Sequence, residues 1–323
     1  MKAAVYTRYG PPDVVQITEV EKPVPKDDEV LIKVRAASVN PFDWHFMRGL
    51  PYFVRFMAGL RKPKNTRPGA DVAGQVEAVG KNVTQFKPGD EVFGSCRGAF
   101  GEYGCTSESK LAMKPDNATF EQAAAVPAAA LTALQGLRDK GQIQPGQKVL
   151  INGAAGGVGT FAVQIAKSFG ADVTGVCSTR NLDLVRSLGA DRVIDYARED
   201  FTKSEQPYDL IFDCVGNHSP FACKRVLNPK GIYIAVGAPD GRWLTGFLVR
   251  LISALVLSRF ASQKVVAVQT KPNSDDLTTI RELMQAGKVT SVIDKRYSLG
   301  EVSEAIRYLE AGHTRGKVVI TVE

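Results

Sequence analysis

The stretch Lys148-Val-Leu-Ile-Asn-Gly-Ala-Ala-Gly-Gly-Val-Gly159 constrains this chain most, because a short apolar run breaks into closely spaced glycines and then into a helical pattern. Val149, Leu150 and Ile151 form the continuous apolar run of a strand buried on both faces. Phe161-Ala-Val-Gln-Ile-Ala-Lys-Ser-Phe169 carries apolar residues at helical spacing until Gly170 stops it. In the loop, Gly156 and Gly157 let backbone N–H groups approach an anion, and Gly159 lets the helix pack close to the strand. Against the dinucleotide fingerprint G-x-G-x-x-G the match is Ala154-x-Gly156-x-x-Gly159, with alanine in the first place. Taken alone, such a loop is also an ordinary glycine-rich turn of an α/β protein.

The residues beyond Gly170 favour the dinucleotide reading. Asp172-Val-Thr-Gly-Val176 is a second strand, Asn181 to Leu188 a helix closed by Gly189, and Arg192-Val-Ile-Asp195 a third strand. Tyr208 to Val215, Gly231 to Val236 and Lys264 to Val268 supply three more, with helical sequence among them. This alternation predicts an α/β domain with a parallel, doubly wound sheet and its ligand at the carboxyl ends of the strands. Val215 and Gly237, at the ends of the fourth and fifth strands, therefore join Ala155, Gly156, Gly157, Val158 and Gly159 as candidate cofactor contacts.

From residue 1 to about 122 the pattern is short strands and turns, punctuated by Pro23, Pro25, Pro51, Pro63, Pro68 and Pro88. A helix from Thr119 to about Leu137 joins this β-rich domain to the nucleotide domain, which spans residues 123–269. The tail reads as a helix over 274–286, a strand over 289–293, a helix over 302–309 and a strand over 316–322, and residues 270–323 return to the first domain.

With 44% hydrophobic and 23% charged residues, the 323-residue chain has the balance of a soluble globular protein of two domains. Its net charge of +7, spread along the chain, favours anionic ligands without indicating nucleic acid. Cysteines 96, 105, 177, 214 and 223 form no C-x-x-C pair, which argues for reduced thiols and against a structural zinc lobe. The first ten residues read as a strand, with no signal or transit pattern, so the cytoplasm is the expected compartment.

Six motifs in order carry a resemblance that runs from end to end: Ala37-Ser-Val-Asn-Pro-Phe-Asp43, Gly69-Ala-Asp-Val-Ala-Gly74, Lys87-Pro-Gly-Asp90, Ala154 to Gly159, Gly189-Ala-Asp-x-Val-Ile-Asp-Tyr196 and Gly316-Lys-Val-Val-Ile320. Together they resemble the medium-chain dehydrogenase/reductases, and within them the zinc-independent quinone oxidoreductase branch. The resemblance implies a GroES-like domain followed by a Rossmann domain, with the cofactor in the cleft between. The zinc-dependent branch carries a Gly-His-Glu where this chain has Gly69-Ala-Asp71, and His45, His218 and His313 are scattered. No metal is therefore expected.

An NAD-preferring domain places an acid about 20 residues beyond the glycines, on the ribose 2′-OH. This chain has Cys177-Ser-Thr-Arg180, and Ser178 with Arg180 can receive the 2′-phosphate of NADPH. The resemblance adds Tyr196 and Lys317 at the adenosine phosphate.

Without metal, hydride must go to a carbon that is already electrophilic, in a quinone or at the β-carbon of an enal or enone. The protein then supplies orientation and a donor for the developing enolate oxygen. Asn40 and Tyr52 are the catalytic candidates; their plainer readings are a residue holding the turn before Pro41 and a packed aromatic. The alternatives are an NADP-dependent alcohol or aldehyde reductase, which needs stronger polarisation of its carbonyl, and a catalytically vestigial NADP-binding protein. The apolar run over 242–257 is shorter than a membrane span and is interrupted by Arg250. It is expected to be a helix that covers the cleft or joins two subunits as a homodimer, with membrane-surface association the lesser reading and no stable insertion.

Overall fold

The structure, a computed structural model, describes residues 1–236 and 263–323. The chain opens with β1 (Lys2–Val5), β2 (Gln16–Glu19), β3 (Glu29–Val39), α1 (Pro41–Arg48), α2 (Val54–Ala58), β4 (Asp71–Val79), β5 (Glu91–Ser95), β6 (Tyr103–Ser107), β7 (Leu111–Met113), α3 (Phe120–Ala124) and α4 (Pro127–Gln135). The middle holds β8 (Lys148–Asn152), α5 (Gly157–Ser168), β9 (Asp172–Cys177), α6 (Leu182–Ser187), β10 (Arg192–Asp195), β11 (Tyr208–Asp213), α7 (Pro220–Lys224), β12 (Leu227–Ala235) and β13 (Lys264–Ala267). The tail supplies α8 (Ser274–Gln285), β14 (Ile293–Ser298), α9 (Val302–Glu310) and β15 (Lys317–Thr321). These elements form two compact units, Met1–Leu131 with Lys271–Glu323, and Thr132–Thr270.

In the first unit one sheet runs β14-β15-β3-β4-β5-β7, with β6 also paired to β3. β3 is its hub: its first half pairs antiparallel with β6 and its second half with β15, so the tail completes the domain begun at the N-terminus. Ile32, Val34, Val72, Phe100, Leu111, Ile306 and Ile320 meet in its core. α9 presents Val302, Ala305 and Ile306 to that core at helical spacing.

Two sequence expectations change here. The helix foreseen over 119–137 is broken: Thr119 caps α3 by accepting from Gln122 N–H, Pro127 opens α4, and Gly136–Lys140 continues as a π-helical turn. Because Ala128 N–H bonds to the carboxylate of Asp71, this segment stays with the first unit through Leu131. The strand expected over 289–293 begins only at Ile293, since Lys288 and Val289 N–H groups turn back to Leu283 O and close α8.

The second unit is a six-stranded sheet in the order β10-β9-β8-β11-β12-β13, with every pairing parallel. Runs such as Val149-Leu-Ile151 and Leu210-Ile-Phe212 are buried throughout, as a sheet covered on both faces requires. The strand order reverses between β8 and β11, and in this topology a ligand crevice opens beyond the carboxyl ends at that switch point.

Candidate functional site

The glycine loop occupies the switch point. β8 ends at Asn152, and Gly153 turns the chain with φ +81°, a conformation that favours glycine. A Cβ at Gly153 would lie 2.7 Å from Val215 Cγ2, so the half-exposed Val215 borders the loop. Ala155 is buried, and Gly156 caps α5 in extended backbone with no side-chain partner for the first-turn N–H groups of Gly157, Val158 and Gly159. A Cβ at Gly159 would stand 2.1 Å from Gly153 O, so only glycine lets the helix approach the strand this closely. Open donors at the N-terminus of a twelve-residue helix suit a pyrophosphate.

The structure adds Asp213 to this site, a residue with no signal in the sequence motifs. Fully buried, its carboxylate accepts from Asn152 Nδ2 at 2.9 Å, Val215 N at 3.0 Å, Gly216 N at 2.7 Å and Tyr233 Oη at 2.5 Å. It thereby fixes the turn after β11 against β8 and β12.

At the ends of β9 and β10, Tyr196 N–H bonds to Cys177 O and brings Ser178, Arg180 and Tyr196 to one edge of the sheet. Arg180 and Tyr196 are exposed, and Ser178 Oγ accepts from Asn181 Nδ2 at 3.1 Å. An acid also stands there, at the end of β10. Asp195, however, is buried and accepts from Thr179 Oγ1 at 2.6 Å and Ala197 N at 3.0 Å, with Arg198 beside it at 3.6 Å. Those partners hold its carboxyl below the ordinary range and leave little of it to receive a ribose hydroxyl. Gly237 and the apolar run over 242–257 lie outside the described residues.

The first unit gathers Ser38, Asn40, Asp43, Asp71 and Lys317 into a buried polar cluster. Pro41 opens α1 and Asp43 reaches back to Asn40 N–H at 2.8 Å, while its other oxygen accepts from Gly69 N at 3.1 Å. Burial pushes the Asp43 carboxyl up to about 7, against those two backbone donors. Asp71 accepts from Ser38 Oγ at 3.0 Å, Asn40 Nδ2 at 2.9 Å and Ala128 N at 3.1 Å, with Lys317 Nζ 3.6 Å away. Burial raises Asp71 and lowers Lys317, outweighing their mutual attraction in both directions.

Two of the candidates, Asn40 and Lys317, meet inside this cluster. Asn40 is 3% exposed, its Nδ2 donates to Ser38 O and Asp71, and its Oδ1 accepts from Lys317 Nζ at 2.6 Å. Both amide protons are therefore engaged inside the protein. Lys317 is likewise 3% exposed, with its ammonium turned onto Asn40 and Asp71. Tyr52 is 70% exposed beside Arg55, which lies 4.9 Å from its ring; its hydroxyl has no hydrogen-bond partner among the described residues.

Comparison with known proteins matches two family models: residues 26–136 to the alcohol dehydrogenase GroES-like domain, and residues 188–320 to the zinc-binding dehydrogenase domain. The chain is 37% identical to the 2-methylene-furan-3-one reductase of Solanum lycopersicum, over 99% of this chain and 79% of that protein. It is 36% identical to the chloroplastic NADPH-dependent alkenal/one oxidoreductase of Arabidopsis thaliana, with the same coverage. The chain belongs to the medium-chain dehydrogenase/reductases, in their quinone oxidoreductase branch. Among solved structures, the quinone oxidoreductase from Coxiella burnetii superimposes with a TM-score of 0.87 at 30% identity, over 100% of this chain and 99% of that one.

One family description names zinc, and the donor set of this dehydrogenase/reductase does not fit that ion. Asp71 already faces an ammonium and three hydrogen-bond donors. Burial pushes the thiols of Cys96 and Cys105 up to about 12 and about 11, far from the thiolate form that binds metal. His45 stacks on Trp44 at 3.6 Å and His218 packs edge-on to Phe201 at 4.7 Å. No group of three or more His, Cys, Asp or Glu side chains able to hold a metal occurs among the described residues.

Proposed function

We propose that this protein is an NADPH-dependent oxidoreductase that reduces quinones, or the C=C bond of α,β-unsaturated carbonyls, by hydride transfer without zinc. The observation that carries the reading is the pairing of an open glycine loop at the switch point with a buried Asn40–Asp71–Lys317 cluster whose donors and acceptors are spent on one another. Both named relatives act, by their names, on conjugated or closely related acceptors, and one of them uses NADPH.

NADPH, when bound, supplies the hydride. The N–H groups opening α5 would hold its pyrophosphate, Val215 and the turn fixed by Asp213 border the loop, and Ser178, Arg180 and Tyr196 would receive the 2′-phosphate. A conjugated acceptor carries the developing charge onto an oxygen several bonds from the attacked carbon, where modest donors and solvent suffice. Tyr52, exposed and with no hydrogen-bond partner for its hydroxyl among the described residues, is the side-chain donor that this reading retains. Asn40 and Lys317 fix the end of β3 and the start of α1 from beneath. A saturated ketone needs a Lewis acid or a strong proton donor, which this cluster does not offer, so alcohol and aldehyde reduction is the weaker reading.

Five free thiols, among them the buried Cys96, Cys177 and Cys223, suit a reducing compartment such as the cytoplasm. No helix among the described residues is long and apolar enough to cross a membrane.

The test is NADPH consumption by the purified protein, assayed across enals, enones, quinones and saturated aldehydes. Turnover with conjugated acceptors that survives a chelator is expected. Turnover confined to aldehydes, or near-stoichiometric zinc with activity lost to the chelator, overturns the reading. No turnover with any acceptor, together with tight NADPH binding, would indicate a vestigial enzyme.

A further inference from the structure

The positive charge of this chain is more localised than its even-looking sequence suggests. Residues 44–70 hold Arg48, Arg55, Arg61, Lys62, Lys64 and Arg67 and none of the 34 Asp and Glu residues, so this stretch accounts for six of the net seven positive charges. Three of these cations are engaged. Arg48 pairs with Glu310, Arg55 lies over the rings of Tyr9 and Tyr52, and Arg67 donates to the carbonyls of Gly98 and Tyr103. Arg61, Lys62 and Lys64 are exposed and have no ion-pair partner among the described residues.

The same stretch exposes the largest apolar side chains of the first unit. Phe56 is 75% exposed, Met57 74% and Leu60 65%. α2 is short, and Val54 is the residue it buries, so its other apolar side chains face out. Protein surfaces rarely expose contiguous large apolar side chains without a partner.

We infer that this exposed stretch, residues 56–64, docks the protein peripherally on an anionic lipid bilayer. Phe56, Met57 and Leu60 would enter the boundary between headgroups and acyl chains, while Arg61, Lys62 and Lys64 meet the phosphates. Charge complementarity selects this occupant. A symmetric contact with a second copy would bring the two sets of three unpaired cations together, and a polyanion such as nucleic acid has no use for the apolar tip. The inference does not depend on which reaction the enzyme performs.

The test is co-sedimentation of the full chain with vesicles of phosphatidylcholine alone, or of phosphatidylcholine containing one-third phosphatidylglycerol. Binding to the anionic vesicles only, weakened by high salt, is expected. The triple variant R61Q/K62Q/K64Q should lower partitioning by roughly two decades. The variant F56S/M57S should lower it by at least tenfold. Both sets of substitutions are at exposed positions, and unchanged urea midpoints establish that the variants fold. Failure to sediment with anionic vesicles overturns the proposal, as does binding that survives the triple variant. Salt-sensitive binding untouched by F56S/M57S would mean a general polyanion surface. A dimer in light scattering that F56S/M57S dissociates would assign the patch to self-association, and either result refutes membrane docking.

Discussion

Replacing Lys317 by Met removes a buried ammonium while keeping the length and apolar stem of the side chain. Asp71, 1% exposed, would then face Ser38, Asn40 and the Ala128 N–H with no counter-charge. Breaking a buried ion pair from one side typically costs ~3–5 kcal/mol, or about two to nearly four decades in the folding constant. The loss should shrink as pH falls. Burial already raises the Asp71 carboxyl, and losing Lys317 removes the largest influence that lowers it, so protonation relieves the stranded charge. Combining K317M with Asp71→Asn should restore most of the stability. Roughly 1 kcal/mol should remain lost, because Asn40 Oδ1 has lost its donor. Urea unfolding of wild type, both single variants and the double variant at neutral and acidic pH measures the coupling. A K317M variant as stable as wild type, or single-variant losses that simply add, would refute the view that the cluster is held together by a compensated charge pair.

The geometry also sets three further outcomes. Arg180→Ala should weaken NADPH by about one to two decades, from the 1.5–3 kcal/mol typical of charged hydrogen bonds, and leave NADH nearly unchanged; titration calorimetry showing equal losses would make Arg180 structural. Gly159→Ala must displace α5 from β8, because its Cβ would lie 2.1 Å from Gly153 O; cofactor affinity should fall by at least tenfold, and unaltered affinity in a stably folded variant would dissociate the loop from the cofactor. Asp43 titrates near 7 in the folded protein against 3.8 in the unfolded chain, so the native state retains a proton that the unfolded state releases. Its contribution to stability should therefore decline as pH rises from about 4 to about 7, and Asp43→Asn should flatten that slope in urea unfolding; an unchanged slope would show the titration belongs elsewhere.

Much of the fold is legible in the sequence because it is written in local periodicity. The apolar runs at 149–151 and 210–212 are enough to place β8 and β11, while the strand order that makes a switch point between them comes from the structure. α1 carries a local signal of its own: Asn40-Pro41-x-Asp43 is a helix start with proline in the first turn and an acid reaching back. The strand misplaced over 289–293 shows the limit of apolar pattern alone, since Val289 is buried in closing a helix and not in pairing a strand. In the site, local pattern points to the glycine loop and the Ser178–Arg180 edge but gives no sign that Asn40 and Lys317 meet. Those two residues are separated by 277 positions and meet only through the pairing of β15 with β3, which no local pattern specifies. Asp213 escapes notice because an acid after a strand is common, and its role depends on Asn152 and Tyr233 from two neighbouring strands.

The central claim is hydride delivery to a conjugated acceptor, and the position of the transferred atom tests it most directly. With NADPH carrying deuterium at its transferable position and a simple enone as acceptor, the label should appear at the β-carbon of the saturated ketone, with solvent hydrogen at the α-carbon. Label on the carbinol carbon with the double bond intact would make the protein a carbonyl reductase and contradict the account.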